Sequence, residues 1–142
     1  MTTDRVIHIV DDEAPIRRSL AFLLMSAGFA VRVHDGGPAF LSALSEPDSA
    51  CLVTDLRMPE MNGVELIEAL AERRWHIPAI VITGHGDVPM AVAAMKAGAS
   101  DFIEKPFADN LIIEAINRAC ATATSHAVVS ATQRRHTSAS IS

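Results

Sequence analysis

Short apolar runs alternate along this chain with segments whose apolar residues recur at helical spacing. Five of the runs have strand length and are rich in Val, Ile and Leu, so they predict strands. The predicted strands cover residues 6–10, 29–34, 51–55, 77–83 and 101–104. Runs such as Ile80-Val81-Ile82 are apolar at consecutive positions, which is typical of strands buried on both faces.

The segments that follow these runs predict five helices. Ile16, Leu20 and Leu24 recur near helical spacing in the first, over residues 14–27, and Gly28 ends it. The other helices are predicted over 37–45, over the segment after Asn62 that contains Val64, Leu66, Ile67 and Leu70, over 88–97 up to Gly98, and over 109–124 from a cap at Ala108 or Asp109. This alternation predicts an α/β doubly wound fold: a five-stranded parallel sheet with helices on both faces. The strand order 2-1-3-4-5 is one of the two common ones.

The composition of the 142 residues indicates one compact domain. Hydrophobic residues make up 49% and aromatic residues only 4%, so we expect an aliphatic core. The formal net charge of −5 argues against direct nucleic-acid binding, because phosphate contacts need a basic surface. We expect the domain to cover residues 1–124. Residues 125–142 are rich in Ser, Thr, Ala and basic residues, which predicts a disordered tail.

The cysteines and the N-terminus indicate a cytoplasmic protein without membrane association. Cys51 and Cys120 lie in apolar stretches without CxxC spacing, so we expect two buried, reduced thiols. The N-terminus has no apolar segment long enough for a signal peptide. No apolar run reaches the roughly 18 residues that a transmembrane helix needs.

Reactive side chains follow four of the predicted strands at the point where each strand ends. Asp11 and Asp12 follow the first strand, Asp55 ends the third, Thr83 ends the fourth and Lys105 follows the fifth. In a parallel sheet of this kind ligands bind outside the carboxyl ends of the strands, so these residues are expected at one rim.

The three carboxylates would repel one another if they were close and ionised. A hard divalent cation removes this conflict, and carboxylate oxygens together with water suit Mg²⁺. A carboxylate beside Mg²⁺ can act as a phosphoryl nucleophile, and Asp55 is the candidate. The Lys105 ammonium and the Thr83 hydroxyl could then share the charge of the transferring phosphoryl group.

Four segments resemble the receiver (CheY-like) domains of bacterial two-component response regulators. They are Val10–Glu13, Thr54–Gly63, Val81–Gly84 and Lys96–Phe107. The run Ile82–Lys96 is similar to the FixJ-type branch, and the resemblance covers about residues 4–122. It implies a flavodoxin-like fold and a phosphoprotein of phosphorelay signal transduction whose partner is a sensor histidine kinase.

The resemblance also implies residue roles. Asp55 would be the phosphoacceptor, and Asp11, Asp12 and Asp55 would hold Mg²⁺ together with the backbone carbonyl of Arg57. Thr83 and Lys105 would bind phosphoryl oxygens, so the chain would assist its own phosphorylation and dephosphorylation without being a classical enzyme.

Three more expectations concern switching. Phe102 would be the switch aromatic that turns inward with Thr83, although the strand pattern alone makes it a core residue. Side chains at Arg57 and His85 would tune the phosphoryl lifetime. Phosphorylated copies would form homodimers through the fourth helix, fifth strand and fifth helix.

The output after phosphorylation has more than one interpretation. No second apolar-periodic segment precedes Ser142, so we favour a single-domain regulator that acts on a phosphotransfer or target protein. The alternative is the receiver part of a FixJ-type transcriptional regulator whose DNA-binding domain is not in this chain. A metal-dependent phosphatase with an Asp nucleophile is a remote alternative, because Leu56-Arg57 follow Asp55 where that class has a second carboxylate.

Overall fold

A computed structural model describes residues 4–84 and 86–121 of the chain. Five parallel strands form one sheet in the order β2-β1-β3-β4-β5, which confirms the predicted topology. The strands are β1 (Val6–Val10), β2 (Ala30–His34), β3 (Ala50–Asp55), β4 (Ala79–Thr83) and β5 (Asp101–Glu104). Consecutive apolar residues in β3 and β4 are buried because helices cover both faces of the sheet.

The helices lie on the two faces as the alternation predicted. They are α1 (Ala14–Ser26), α2 (Gly37–Ala43), α3 (Gly63–Glu72), α4 (Val88–Ala97) and α5, described over residues 109–121. A short 3₁₀ helix, Pro47–Ser49, precedes β3. Helices α1 and α5 pack on one face of the sheet, whereas α2, α3 and α4 pack on the other. No helix within the described ranges is long and apolar enough to cross a membrane.

The helix ends follow from local sequence. The Asn62 side chain accepts a hydrogen bond from the Glu65 backbone N–H, and the Glu65 side chain accepts one from the Asn62 N–H, so α3 begins with a capping box. Gly28 and Gly98 have φ angles of 97° and 124°, which side-chain-bearing residues rarely adopt, and they end α1 and α4.

Two expectations about the strands need correction. β4 begins at Ala79 instead of residue 77, because Pro78 has no N–H to donate, although its carbonyl still accepts from the Leu52 N–H at 2.8 Å. Phe102 is not a core residue: its side chain is 43% exposed. β5 is an edge strand, so only its residues on the α5 face, such as Ile103, are covered.

Both cysteines are buried and neither forms a disulfide, as expected. A hydrogen bond with Cys120 and burial raise the pKa of the Cys51 thiol well above its ordinary value. The thiol form is therefore the stable one at neutral pH. The expectations for the tail and for His85 concern positions outside the described residues.

Candidate functional site

A cluster of three carboxylates lies at the carboxyl edge of the sheet. Val10 of β1 pairs with Thr54 of β3, so the residues that follow or end these strands become neighbours. One oxygen each of Asp11, Asp12 and Asp55 lies within 4.8 Å of the other two. Asp11 is buried and Asp12 is exposed. The structure therefore brings together the three residues that the sequence proposed as metal ligands.

The electrostatics of this cluster show an excess of negative charge. Burial raises the pKa of Asp55 to about 6, which Lys105 opposes and Asp11 reinforces. Burial also raises the pKa of Asp11. The Glu13 N–H, which donates to Asp11 Oδ1 at 2.9 Å, lowers this pKa but does not cancel the effect of burial. The Leu56 N–H donates to Asp55 Oδ1 at the same distance. Close oxygen donors with this excess charge fit a hard divalent cation.

Lys105 brings a positive charge to the cluster. Its Nζ lies 3.9 Å from Asp55 Oδ1, and its backbone N–H donates to the Thr83 carbonyl at 2.8 Å, so the ends of β4 and β5 are tied together. The peptide bond between Lys105 and Pro106 is cis. A single ammonium at 3.9 Å does not neutralise three carboxylates, and the raised pKa of Asp55 agrees with this.

Thr83 is buried at the end of β4, but its hydroxyl is directed to the loop that follows. It donates to the Gly84 carbonyl at 3.3 Å and lies 3.5 Å from the Asp87 carbonyl. Phe102 is exposed, as described above. The Thr83 hydroxyl therefore contacts the loop that follows β4, and the Phe102 side chain is exposed.

Arg57 and Asp87 form an ion pair beside a cleft of about 410 Å³ that Asp55 and Lys105 also line. The side chain of Arg57 is mostly exposed to solvent. Its predicted role in tuning the phosphoryl lifetime would therefore be exerted from the surface of the cleft. Sequence reasoning missed Asp87. The available signal was its position directly before α4, where an aspartate normally caps the helix.

Gly63 packs closely against the end of β3. A Cβ there would lie 2.8 Å from the Asp55 carbonyl oxygen and 3.0 Å from Leu56 Cα, and its N–H donates to the Leu56 carbonyl at 2.7 Å. We expect Gly63→Ala to lower the free energy of unfolding by about 1–3 kcal/mol, because backbone atoms must move to admit a methyl group. Urea denaturation measures this. Gly84→Ala is the control, since a Cβ there meets nothing within 4 Å; equal losses in both variants would contradict the packing argument.

The fold and the site together define a doubly wound α/β domain with a cluster of carboxylates at the carboxyl edge of its sheet. Residues 7–117 match the response regulator receiver domain family, and the chain belongs to that family. The family assignment made from the sequence motifs is confirmed.

FixJ regulators are among the similar proteins. The chain is 62% identical over 117 residues to the transcriptional regulatory protein FixJ of Rhizobium meliloti. The aligned region covers 82% of this chain and 57% of that protein. FixJ of Bradyrhizobium diazoefficiens is 48% identical over 132 residues, covering 90% of this chain and 64% of the relative. The chain therefore spans between half and two thirds of the length of these curated relatives.

Solved structures agree in fold. The crystal structure of FixJ-N has a TM-score of 0.78 at 62% identity and covers 83% of this chain and 94% of that one. Full-length FixJ from B. japonicum has a TM-score of 0.82 at 42% identity, with coverage of 96% and 68%. The chain is a FixJ-type receiver domain of the two-component class, and such domains interact with sensor histidine kinases and are not classical enzymes.

Proposed function

We propose that this receiver accepts a phosphoryl group on Asp55 from a histidine kinase and that the modification changes its protein–protein contacts. The supporting observation is the juxtaposition at Asp55. Asp55 is the last residue of β3. Its Oδ1 lies 3.9 Å from Lys105 Nζ, and one of its carboxylate oxygens lies within 4.8 Å of oxygens of Asp11 and Asp12.

In the transfer, a carboxylate oxygen of Asp55 attacks the phosphorus of the donor's phosphohistidine. A P–O bond forms, the P–N bond breaks, and the histidine nitrogen leaves with the electron pair and takes a proton from water. A pKa of about 6 leaves Asp55 mostly ionised at pH 7, which suits a nucleophile. Lys105 and Thr83 would hold phosphoryl oxygens and so assist both phosphorylation and dephosphorylation.

Asp11, Asp12 and Asp55, with the backbone carbonyl of Arg57, would hold Mg²⁺. When bound, the cation supplies positive charge that stabilises the transferring phosphoryl group and removes the repulsion among the carboxylates. The burial of Asp11 and the hydrogen bond from the Glu13 N–H fix one carboxylate of this set in place.

The switch would begin at Thr83, whose hydroxyl makes long contacts of 3.3 Å and 3.5 Å with the Gly84 and Asp87 carbonyls. A phosphoryl oxygen offers it a stronger, charge-assisted acceptor, and inward rotation of exposed Phe102 would follow. The surface around α4 and β5 exposes Val88, Val92 and Met95 as well, which supports phosphorylation-dependent homodimers through this face.

Two outputs remain candidates. A single-domain regulator that acts on a target protein was the first expectation. The receiver part of a transcriptional regulator is favoured by the relatives, which are named transcriptional regulatory proteins and extend beyond the matched region. The match over residues 7–117 argues against the phosphatase alternative. Cytoplasmic location and absence of direct nucleic-acid contact remain predictions.

Phosphorylation is tested with a small phosphodonor such as phosphoramidate in the presence of Mg²⁺, followed by intact-mass measurement. The wild-type chain is expected to gain one phosphoryl group, and Asp55→Asn and an EDTA-treated sample none. Glu68→Gln, an exposed carboxylate-to-amide change on α3, should behave as wild type. A phosphoryl gain by Asp55→Asn equal to that of wild type would refute the assignment.

A further inference from the structure

Asp87 occupies the residue position that caps α4, yet its side chain does not cap the helix. Aspartate at this position ordinarily accepts a hydrogen bond from the free N–H groups of the first turn. Here both carboxylate oxygens accept instead from Arg57, Oδ2 from Nε at 2.9 Å and Oδ1 from Nη2 at 3.0 Å. Because Pro89 has no N–H, the Met90 N–H in the first turn of α4 is the alternative partner for Asp87.

The ion pair spans the cleft beside the phosphoacceptor. Arg57 follows Asp55 by two residues, and Asp87 belongs to the loop between β4 and α4. The Asp87 side chain is 15% exposed, whereas the Arg57 side chain is 72% exposed. A mostly exposed guanidinium is therefore held by a carboxylate that the fold keeps in place. Arg57, Asp87 and Asp55 line the same cleft.

The loop that carries Asp87 also holds the Thr83 hydroxyl. Thr83 Oγ1 contacts the Gly84 and Asp87 carbonyls, and the Asp87 N–H donates to the Gly84 carbonyl at 3.1 Å. A link between Arg57 and Asp87 consequently fixes the loop in the arrangement in which its carbonyls contact the Thr83 hydroxyl.

We propose that Asp87 is a positioning residue that holds the Arg57 guanidinium in the unphosphorylated protein, and we call this ion pair the latch. Phosphoryl oxygens on Asp55 compete with Asp87 for the Arg57 guanidinium, so phosphorylation releases Asp87 to cap α4 and frees the loop that holds Thr83. A guanidinium prefers paired anionic oxygens, which both competitors supply. This inference rests on the proposed function of Asp55 and adds the residue that opposes switching.

The test measures the affinity of beryllofluoride, a phosphoryl analogue, by calorimetry at saturating Mg²⁺. Asp87→Ser keeps a capping hydroxyl but cannot hold a guanidinium with two oxygens. Its affinity is expected to be about 2- to 5-fold higher than that of wild type, the range typical of an exposed ion pair. Asp48→Ser is the matched control, because it removes the same charge at the opposite end of β3, and it should leave the affinity unchanged.

Arg57→Ala supplies the discriminating background. If Asp87 acts through Arg57, adding Asp87→Ser to Arg57→Ala changes the affinity no further. The latch is overturned if Asp87→Ser raises the beryllofluoride affinity in the Arg57→Ala background, or if Asp87→Ser alone does not raise it. Neither result affects the proposed function as long as the wild-type protein binds beryllofluoride. Wild-type protein that fails to bind beryllofluoride, or Asp55→Asn that binds it equally well, overturns both proposals.

Discussion

Asp55→Asn is expected to raise the free energy of unfolding of the metal-free protein at pH 7. Burial and the nearby Asp11 carboxylate raise the pKa of Asp55 from 3.8 to about 6, and Lys105 offsets this only in part. Holding Asp55 ionised at pH 7 therefore costs up to roughly 3 kcal/mol of folding stability. Asparagine removes the charge and keeps an oxygen that can accept the hydrogen bond from the Leu56 N–H.

The pH dependence gives this prediction its sign. Because the folded-state pKa of Asp55 is raised, its protonation stabilises the fold at low pH, and that stabilisation is lost as the pH rises through about 6. The advantage of Asp55→Asn should be largest at pH 7 and should disappear below pH 3.8. Urea denaturation in EDTA at several pH values measures it, with Glu68→Gln as the exposed control. An asparagine variant no more stable than wild type at pH 7 would contradict the charge argument.

Addition of Mg²⁺ separates the metal-binding role of Asp55 from its effect on folding. A cation that binds only the folded protein raises stability by mass action. Wild-type protein should gain stability on addition of MgCl₂, and Asp55→Asn should gain less because one of the three proposed carboxylate ligands is gone. The difference in stability between the two proteins should therefore narrow. An unchanged difference would mean that Asp55 does not contribute to cation binding.

The alternation of strands and helices was sufficient to predict the fold, because a parallel sheet needs a crossover after each strand. The same rule predicted the meeting of Asp11, Asp12 and Asp55, since β1 and β3 are neighbours and their ends share one rim. Local chemistry was equally readable at Asn62, where side chain and backbone form the capping box within four residues.

Other features depend on choices that the sequence does not encode locally. Phe102 lies beside Ile103 in a strand, and the position of β5 at the sheet edge leaves Phe102 exposed. The Asp87 side chain pairs with Arg57 instead of capping α4, and only the tertiary structure brings Arg57 beside it. The Thr83 hydroxyl likewise donates to the Gly84 carbonyl, a partner that the strand pattern does not indicate.

A pair of histidines on β1 and β2 gives the fold a second pH dependence of opposite sign. His8 Nδ1 and His34 Nε2 are 2.9 Å apart, and the two rings stack with centroids 5.2 Å apart against Phe40. At that distance one nitrogen donates and the other accepts, so the contact accommodates one proton. Burial, reinforced by His34 and Arg32, lowers the pKa of His8 from 6.5 to about 4.

His8→Gln is expected to flatten the loss of stability that acidification causes. Because the folded-state pKa of His8 is lowered, its contribution is fully present above pH 6.5 and is lost as the pH falls to about 4, a change of roughly 3 kcal/mol. Asp55 titrates in the same pH range, and its effect on stability has the opposite sign. The two effects partly cancel in the stability profile of the wild-type protein, which therefore does not reveal either group. The difference between His8→Gln and wild type, measured by urea denaturation at pH 7.5 and 4.5, isolates the histidine. His76→Gln, an exposed control, should follow the wild-type profile. If His8→Gln also follows it, the buried pair is not the source of the acid sensitivity.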